Sequence, residues 1–165
     1  MTLKPRTYHG SNVATKRFVA VVLSFVLASV VNVYPLEVSH AVFRPLAFMM
    51  VLAFWVIHLP RYVGVGIALI IGLIADLFMD TRLGQQAFSA VIMTFVLELM
   101  IGYVKQLDAL KAWGLASVGL VVFQLTLWLL QYITQNIFIG SSVWSLAVSI
   151  ASWGLLYFAL IRFVR

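Results

Sequence analysis

Residues 64–84 read GVGIALIIGLIADLFMDTRLG, and this segment carries the clearest signal of the fold in the sequence. It is apolar enough to enter a membrane, yet small residues and then acids recur in it every four positions, at Gly64, Ala68, Gly72, Asp76 and Asp80. That spacing places them along one slowly rotating face of a helix. Small residues let another helix backbone approach closely, and an acid in an apolar segment normally needs a protein partner. The segment therefore predicts a membrane-spanning helix whose small-residue edge packs against another helix.

The composition of the whole chain indicates an integral membrane protein. Of its 165 residues 64% are hydrophobic and 10% are charged, whereas roughly a quarter of the residues of a soluble domain are charged. The formal net charge is +6, but the basic residues are scattered between apolar runs, so nucleic acid is not an expected partner. Cysteine is absent, which excludes disulfides, thiolate chemistry and sulfur-ligated metals.

Six apolar runs are long enough to predict six transmembrane helices, since a spanning helix needs about 20 residues. The predicted spans are 18–34, 44–59, 63–79, 84–104, 112–135 and 143–161. Residues 1–17 are polar and basic and are expected to form a flexible cytoplasmic tail, followed by a single membrane domain over 18–165. A cleaved signal peptide is the disfavoured alternative, because the first run is long and no small-x-small cleavage site follows it.

The distribution of lysine and arginine predicts the orientation of these spans. With a cytoplasmic N-terminus, nine of the 11 basic residues lie inside: Lys4, Arg6, Lys16, Arg17, Arg61, Lys105, Lys111, Arg162 and Arg165. Only Arg44 and Arg82 then lie outside. Because positive charge concentrates on the cytoplasmic side of membrane proteins, both termini are expected to be cytoplasmic and the number of spans even.

Asp76 carries the strongest single signal in the chain, because an acid inside a span should be paired, protonated or facing water. The tight connection at Pro60 and Arg61 predicts that the second and third helices are antiparallel neighbours. Counted from that turn at 1.5 Å per residue, Arg44 and Asp76 stand at heights of about 22 and 20 Å. We therefore expect an Arg44–Asp76 ion pair near the outer surface. Arg82 is the competing partner, and a locally satisfied acid without a specific partner remains open.

Three further polar residues lie inside predicted spans. Glu98 is seven residues before Lys105, so a lysine that extends along the helix, or water in the inner leaflet, is favoured over a proton relay. Gln124 and Gln131 recur at the seven-residue spacing that Ser117 begins, which puts them on one inward face. Hydrogen bonding between helices is favoured for them, with a small polar cavity as the alternative.

No constellation of residues points to catalysis or to a metal. His9, His40 and His58 are predicted to lie in a tail, an outer loop and an inner helix end, so they do not converge. Ser141 and Ser142 lie outside while His58 lies at the inner end of its span, so nucleophile and base are not at one depth. We expect neither enzymatic activity nor a cofactor.

Short motifs follow one another in a fixed order along the chain. They are Phe43-Arg44-Pro45 at the start of the second span, Phe54-Trp55 late in it, Pro60-Arg61 at the inner turn, Gly64-x-Gly66, Gly72-Leu-Ile-x-Asp76 and Leu83-Gly84. In their order and spacing they resemble the MreD family of rod-shape-determining membrane proteins, as do the length, the basic N-terminus and the six apolar runs. The resemblance covers most of the chain, although the tail of residues 1–17 and Asp80 match no position of the family pattern.

The resemblance implies a non-catalytic scaffold in the bacterial inner membrane, within the machinery that builds the lateral cell wall. Its implied partners are MreC, the MreB filament, and RodA with its class B penicillin-binding protein. The structural and partner-binding candidates are Arg44, Pro45, Pro60, Arg61, Gly64, Ala68, Gly72, Asp76 and Gly84.

A second hypothesis is the substrate-binding subunit of a vitamin-type transporter, because the family is similar to the compact six-helix subunits of energy-coupling-factor transporters. Gln124, Trp128, Gln131 and Tyr132 would line its pocket. The short loops favour the scaffold, since a vitamin pocket needs several polar and aromatic groups that converge near the outer side.

Overall fold

The computed structural model describes residues 9–33, 46–79, 82–104, 106–135 and 142–164, and over these ranges the chain is helical without any strand. The six helices are α1 His9–Val33, α2 Ala47–His58, α3 Val65–Phe78, α4 Gln85–Tyr103, α5 Ala109–Gln135 and α6 Ser142–Val164. The all-α architecture predicted from hydropathy is confirmed.

Helix α1 begins at His9, nine residues before the predicted span, so residues 9–17 are helical where a flexible tail was expected. After Gly10 this segment contains neither glycine nor proline, and it includes the good helix formers Ala14, Lys16 and Arg17. The helix can therefore continue beyond the apolar run. Residues 1–8 lie outside the described part of the chain.

Among the described residues, three helical segments are both long and apolar enough to cross a membrane: Gln85–Tyr103, Ala109–Thr134 and Val143–Arg162. Three further apolar segments are shorter: Val19–Val30, Ala47–His58 and Val65–Phe78. At 1.5 Å per residue, α2 and α3 extend for about 18 and 21 Å, less than the roughly 30 Å of a bilayer core.

Helix α2 is the centre of the bundle. Eleven of its 12 residues are buried, and α1, α3, α4, α5 and α6 all contact it. Leu52, Phe54 and Trp55 are completely buried. A helix that is apolar all round fits only in such an interior position. The core is thus organised around α2, whereas the sequence pattern drew attention to α3.

Two hydrogen bonds attach α2 to the terminal helices. Trp55 Nε1 donates to Ser24 Oγ of α1 at 2.8 Å, and the backbone N–H of Leu46 donates to Ser149 Oγ of α6 at 2.8 Å. Eight residues after Leu46, the ring of Phe54 meets Tyr157, which lies eight residues after Ser149. The equal spacing shows that α2 and α6 run in the same direction.

Helix α5 packs along α4 in antiparallel register. Gln85 Nε2 donates to Thr134 Oγ1 at 2.9 Å near one end, and a Cβ on Gly119 would lie 3.0 Å from a methyl group of Leu97 further along. Helix α6 is placed differently, since Trp113 Nε1 donates to the carbonyl of Ile150 at 3.2 Å. The start of α5 therefore meets the middle of α6.

Candidate functional site

The carboxylate of Asp76, at the end of α3, is buried against the start of α4. Its Oδ2 accepts hydrogen bonds from the backbone N–H of Gly84 at 2.8 Å and of Ala87 at 3.4 Å, and its Oδ1 accepts one from Gln86 at 2.9 Å. We call this arrangement, Asp76 with the N–H groups of Gly84, Gln86 and Ala87, the Asp76 clasp.

The clasp provides hydrogen-bond acceptors for N–H groups at the beginning of α4, which have no partner inside the helix. Gly84 stands at the N-cap position and supplies no side-chain hydrogen bond there. A carboxylate at this end also interacts favourably with the positive end of the helix dipole. Asp76 therefore acts as a capping residue provided by the preceding helix.

Gly84 makes the clasp possible through its backbone. Its φ of 99° lies in the left-handed region, which a residue with a Cβ adopts only with strain. That conformation directs its own N–H back towards Asp76 while the chain turns into α4. The predicted importance of Gly84 thus has a structural account.

The small-residue edge of α3 faces α4. A Cβ on Gly72 would lie 2.3 Å from the Cα of Ala87, which is closer than real atoms approach, and one on Gly64 would lie 3.1 Å from Glu98 Oε1. Ala68, between them, is completely buried. The sequence had predicted close packing by this edge either within the fold or against a partner helix, and within the fold its neighbour is α4.

The tight connection between α2 and α3 is present as expected. The N–H groups of Tyr62 and Val63 both donate to the carbonyl of Leu59 at 3.0 Å, and Pro60 and Arg61 lie exposed within that turn. The turn joins the two helices, while the clasp determines which helix α3 packs against.

The sequence suggested two charged partners for Asp76, namely Arg44 and Arg82. Arg44, like Pro45 and Asp80, lies outside the described residues, so the Arg44–Asp76 ion pair stays a prediction. Arg82, the competing cation, donates from Nη1 to the carbonyl of Thr134 in α5 at 3.3 Å.

Polar residues are buried on both α4 and α5. Gln124 and Gln131 are buried, while Ser117, from the same seven-residue spacing, is half-buried and donates to the carbonyl of Trp113. The register of α4 and α5 puts Thr94 level with Gln124. Within the described part of the chain, Thr94 Oγ1 and Gln124 Nε2 have no hydrogen-bond partner.

Four buried polar residues of α4 were not among the residues predicted from the sequence: Gln85, Gln86, Ser89 and Thr94. Two consecutive glutamines directly after Gly84, at the start of an apolar run, were the available signal. Gln85 reaches α5, and Gln86 supplies one N–H of the clasp.

Replacing Thr94 with valine is expected to stabilise the protein by about 1 kcal/mol, because a buried hydroxyl without a partner carries a desolvation cost that an apolar group of the same shape avoids. Thermal unfolding in detergent measures the effect. Thr126→Val is the matched control, since Thr126 Oγ1 donates to the carbonyl of Val122 at 2.8 Å. A lower midpoint for Thr94→Val than for Thr126→Val would show that Thr94 Oγ1 has a partner in the folded protein.

The remaining candidate residues do not form a catalytic or metal-binding group in the described ranges. His58 Nδ1 lies 2.9 Å from the carbonyl of Phe54, and the two rings stack. No three histidine, aspartate or glutamate side chains converge there. Glu98 is half-buried beside Gly64, and Lys105, its proposed partner, lies outside the described residues.

Helices as long and apolar as these are typical of a helical membrane protein. The chain belongs to the family described as rod shape-determining protein MreD, whose model matches residues 14–165. The resemblance noted in the sequence is thereby confirmed, and with it a role in the determination of rod shape. No solved structure matches the chain.

Proposed function

We propose that the protein is a non-catalytic scaffold of the bacterial cell-elongation machinery, embedded in the inner membrane and acting with MreC. The MreB filament, RodA and its class B penicillin-binding protein are the further members of the complex. The observation that supports a scaffold most directly is the way α2 fills the centre of the bundle. The core is filled by large aromatic side chains, namely Phe54, Trp55, Phe123 and Trp153. Such close packing makes the bundle rigid, so that partners can assemble on it.

In this proposal all six helices cross the membrane, with both termini in the cytoplasm. The charge distribution of the sequence supports the orientation. The short length of α2 is compatible with six membrane-crossing helices, because a helix surrounded by protein does not have to match the thickness of the bilayer. Helix α3 faces lipid with Leu69, Ile70 and Leu73, which are exposed, while its small-residue edge is covered by α4.

The transport-subunit alternative gains no support. A cleft of about 280 Å³ lies between α1, α2 and α6, and it is lined by side chains such as Leu27, Met50, Val51 and Leu156. A vitamin site needs polar groups that converge on the ligand. Ser24 in this cleft already accepts the hydrogen bond of Trp55.

The proposal predicts that depletion of the protein makes rod-shaped cells round, and that MreC co-purifies with the tagged protein in mild detergent. Complementation with the wild-type chain should restore the rods. Depleted cells that stay rod-shaped, or that grow normally only with an added vitamin, would overturn the proposal. Variants of Asp76 provide a control for folding, because they are expected to alter cell shape only by lowering the amount of folded protein.

A further inference from the structure

Glu98 is an acid of α4 whose role the clasp does not explain. It lies five residues, or about 8 Å along the helix, before the end of α4 at Tyr103. Its Oε1 lies next to Gly64, at the point where the α2–α3 turn enters α3. The side chain is half-buried, and no hydrogen bond or ion pair joins it to another residue in the described ranges.

The surface around Glu98 is apolar and open. Phe95, three residues earlier on α4, is 52% exposed. Gly102, four residues later, is exposed, and a Cβ there would meet nothing within 4 Å. A second helix can approach such a surface closely, because glycines remove the side chains that would keep the backbones apart.

A carboxylate at this depth requires compensation. Acids within spanning segments are costly, less so towards the interface, and they normally pair with a cation or face water. The exposed Arg61 lies on the adjoining turn but forms no ion pair with Glu98. Lys105 lies outside the described residues, and among the described residues no cation pairs with Glu98, so a cation from outside this bundle would be favoured at this apolar surface.

We propose that Phe95, Glu98 and Gly102 form a docking surface on α4 for one membrane-spanning helix that carries a lysine or arginine near its cytoplasmic end. Charge complementarity is the argument for this occupant, since lysine and arginine are concentrated at the cytoplasmic ends of spanning helices and a lipid chain offers no cation. The inference rests on the proposed function, which provides a single-span partner in MreC.

The first test is the retention of co-expressed MreC by the tagged protein in mild detergent. Glu98→Gln is expected to weaken retention by roughly five- to thirtyfold, the range for a lost polar contact between membrane helices. Glu98→Asp should restore part of it. Asp108→Asn is the matched control, because Asp108 pairs with Lys111 at the surface, and it should retain MreC like the wild type.

The second test uses the absence of cysteine from the chain. Gly102→Cys, carrying a thiol-linked photo-crosslinker, should form an adduct with MreC. Leu125→Cys is the control, because Leu125 is also exposed but lies on α5. The adduct should disappear when Glu98→Gln is added to Gly102→Cys.

The outcomes separate this inference from the proposed function. If the wild-type protein retains no MreC, both fall. If it retains MreC and Glu98→Gln retains as much, or if both cysteines crosslink equally, only the docking surface is wrong. A lower unfolding midpoint of the isolated Glu98→Gln protein, relative to Asp108→Asn, would instead assign the carboxylate to a partner within the chain and overturn the inference.

Discussion

Asp76→Ala is expected to destabilise the folded protein by about 3 kcal/mol or more, because it leaves three backbone N–H groups at the start of α4 without their acceptor. Loss of an ordinary helix cap costs about 0.5–2 kcal/mol. Hydrogen bonds to a charged group contribute more than neutral ones, and a buried donor left unpaired adds its desolvation cost. The α3–α4 connection should loosen first.

Asp76→Asn tests whether the charge or only the shape of Asp76 matters, and Asp108→Asn serves as its control. Asp76→Asn keeps one acceptor oxygen but loses the charge, so about half of the loss is expected, on the basis that charge-assisted hydrogen bonds are roughly twice as strong as neutral ones. Asp108→Asn, on an exposed acid, should change stability by less than about 0.5 kcal/mol. Thermal unfolding followed by the fluorescence of the five tryptophans measures all three variants. Equal midpoints for Asp76→Ala and Asp108→Asn would contradict the clasp.

The clasp also changes how the predicted Arg44–Asp76 ion pair has to be tested. In a charge exchange, Asp76→Arg would place a cation against the N–H groups and the positive end of the α4 dipole. The double variant would then fail whether or not Arg44 pairs with Asp76. A comparison of Arg44→Gln with wild type, with Asp76 intact, avoids this problem.

Gly72→Leu is expected to prevent α3 and α4 from packing and to abolish most of the folded protein. Even the first carbon of the new side chain would lie 2.3 Å from the Cα of Ala87 and 2.8 Å from its nitrogen. These atoms belong to the backbone of a helix, so they cannot move aside as a flexible side chain does. Overpacking of a core typically costs 1–3 kcal/mol and more where the backbone has to shift, so about 3 kcal/mol or more is expected here.

Gly66→Leu is the matched control on the same helix. A Cβ at Gly66 meets nothing within 4 Å, so leucine should be accommodated there with little change or a small gain from its higher helix propensity. Yield after detergent extraction and the unfolding midpoint compare the two variants, and Gly72→Ala should fall between them. If Gly72→Leu folds and complements as well as Gly66→Leu, the close α3–α4 contact is wrong.

Much of the site was recognisable in residues 64–84 because its signals are local. Glycine and alanine every four residues predict a close-packing edge whatever lies opposite, and an acid in an apolar run predicts a specific partner. The identity of the partner is not local. A height estimate predicts Arg44 as a partner, and that pair stays a prediction because Arg44 lies outside the described residues. The described hydrogen bonds to Asp76 come from main-chain N–H groups, which every sequence contains.

The central position of α2 could not be predicted for a related reason. Its residues are apolar on every side, so the sequence has no period that distinguishes a helix surrounded by protein from one surrounded by lipid. Residues 9–17 show a similar limit, because polarity indicated where the apolar run begins but not where the helix begins.

Composition, spacing and motif order are properties of the chain alone, and they identify an all-helical membrane protein of the MreD family whose helix α3 has a packing edge. The assembled helices add that this edge meets α4, that Asp76 caps that helix, and that α2 occupies the core. Those choices depend on backbone groups and on apolar surfaces that look alike in sequence. They are distinguished only when the helices are assembled and each buried polar group has to find its partner.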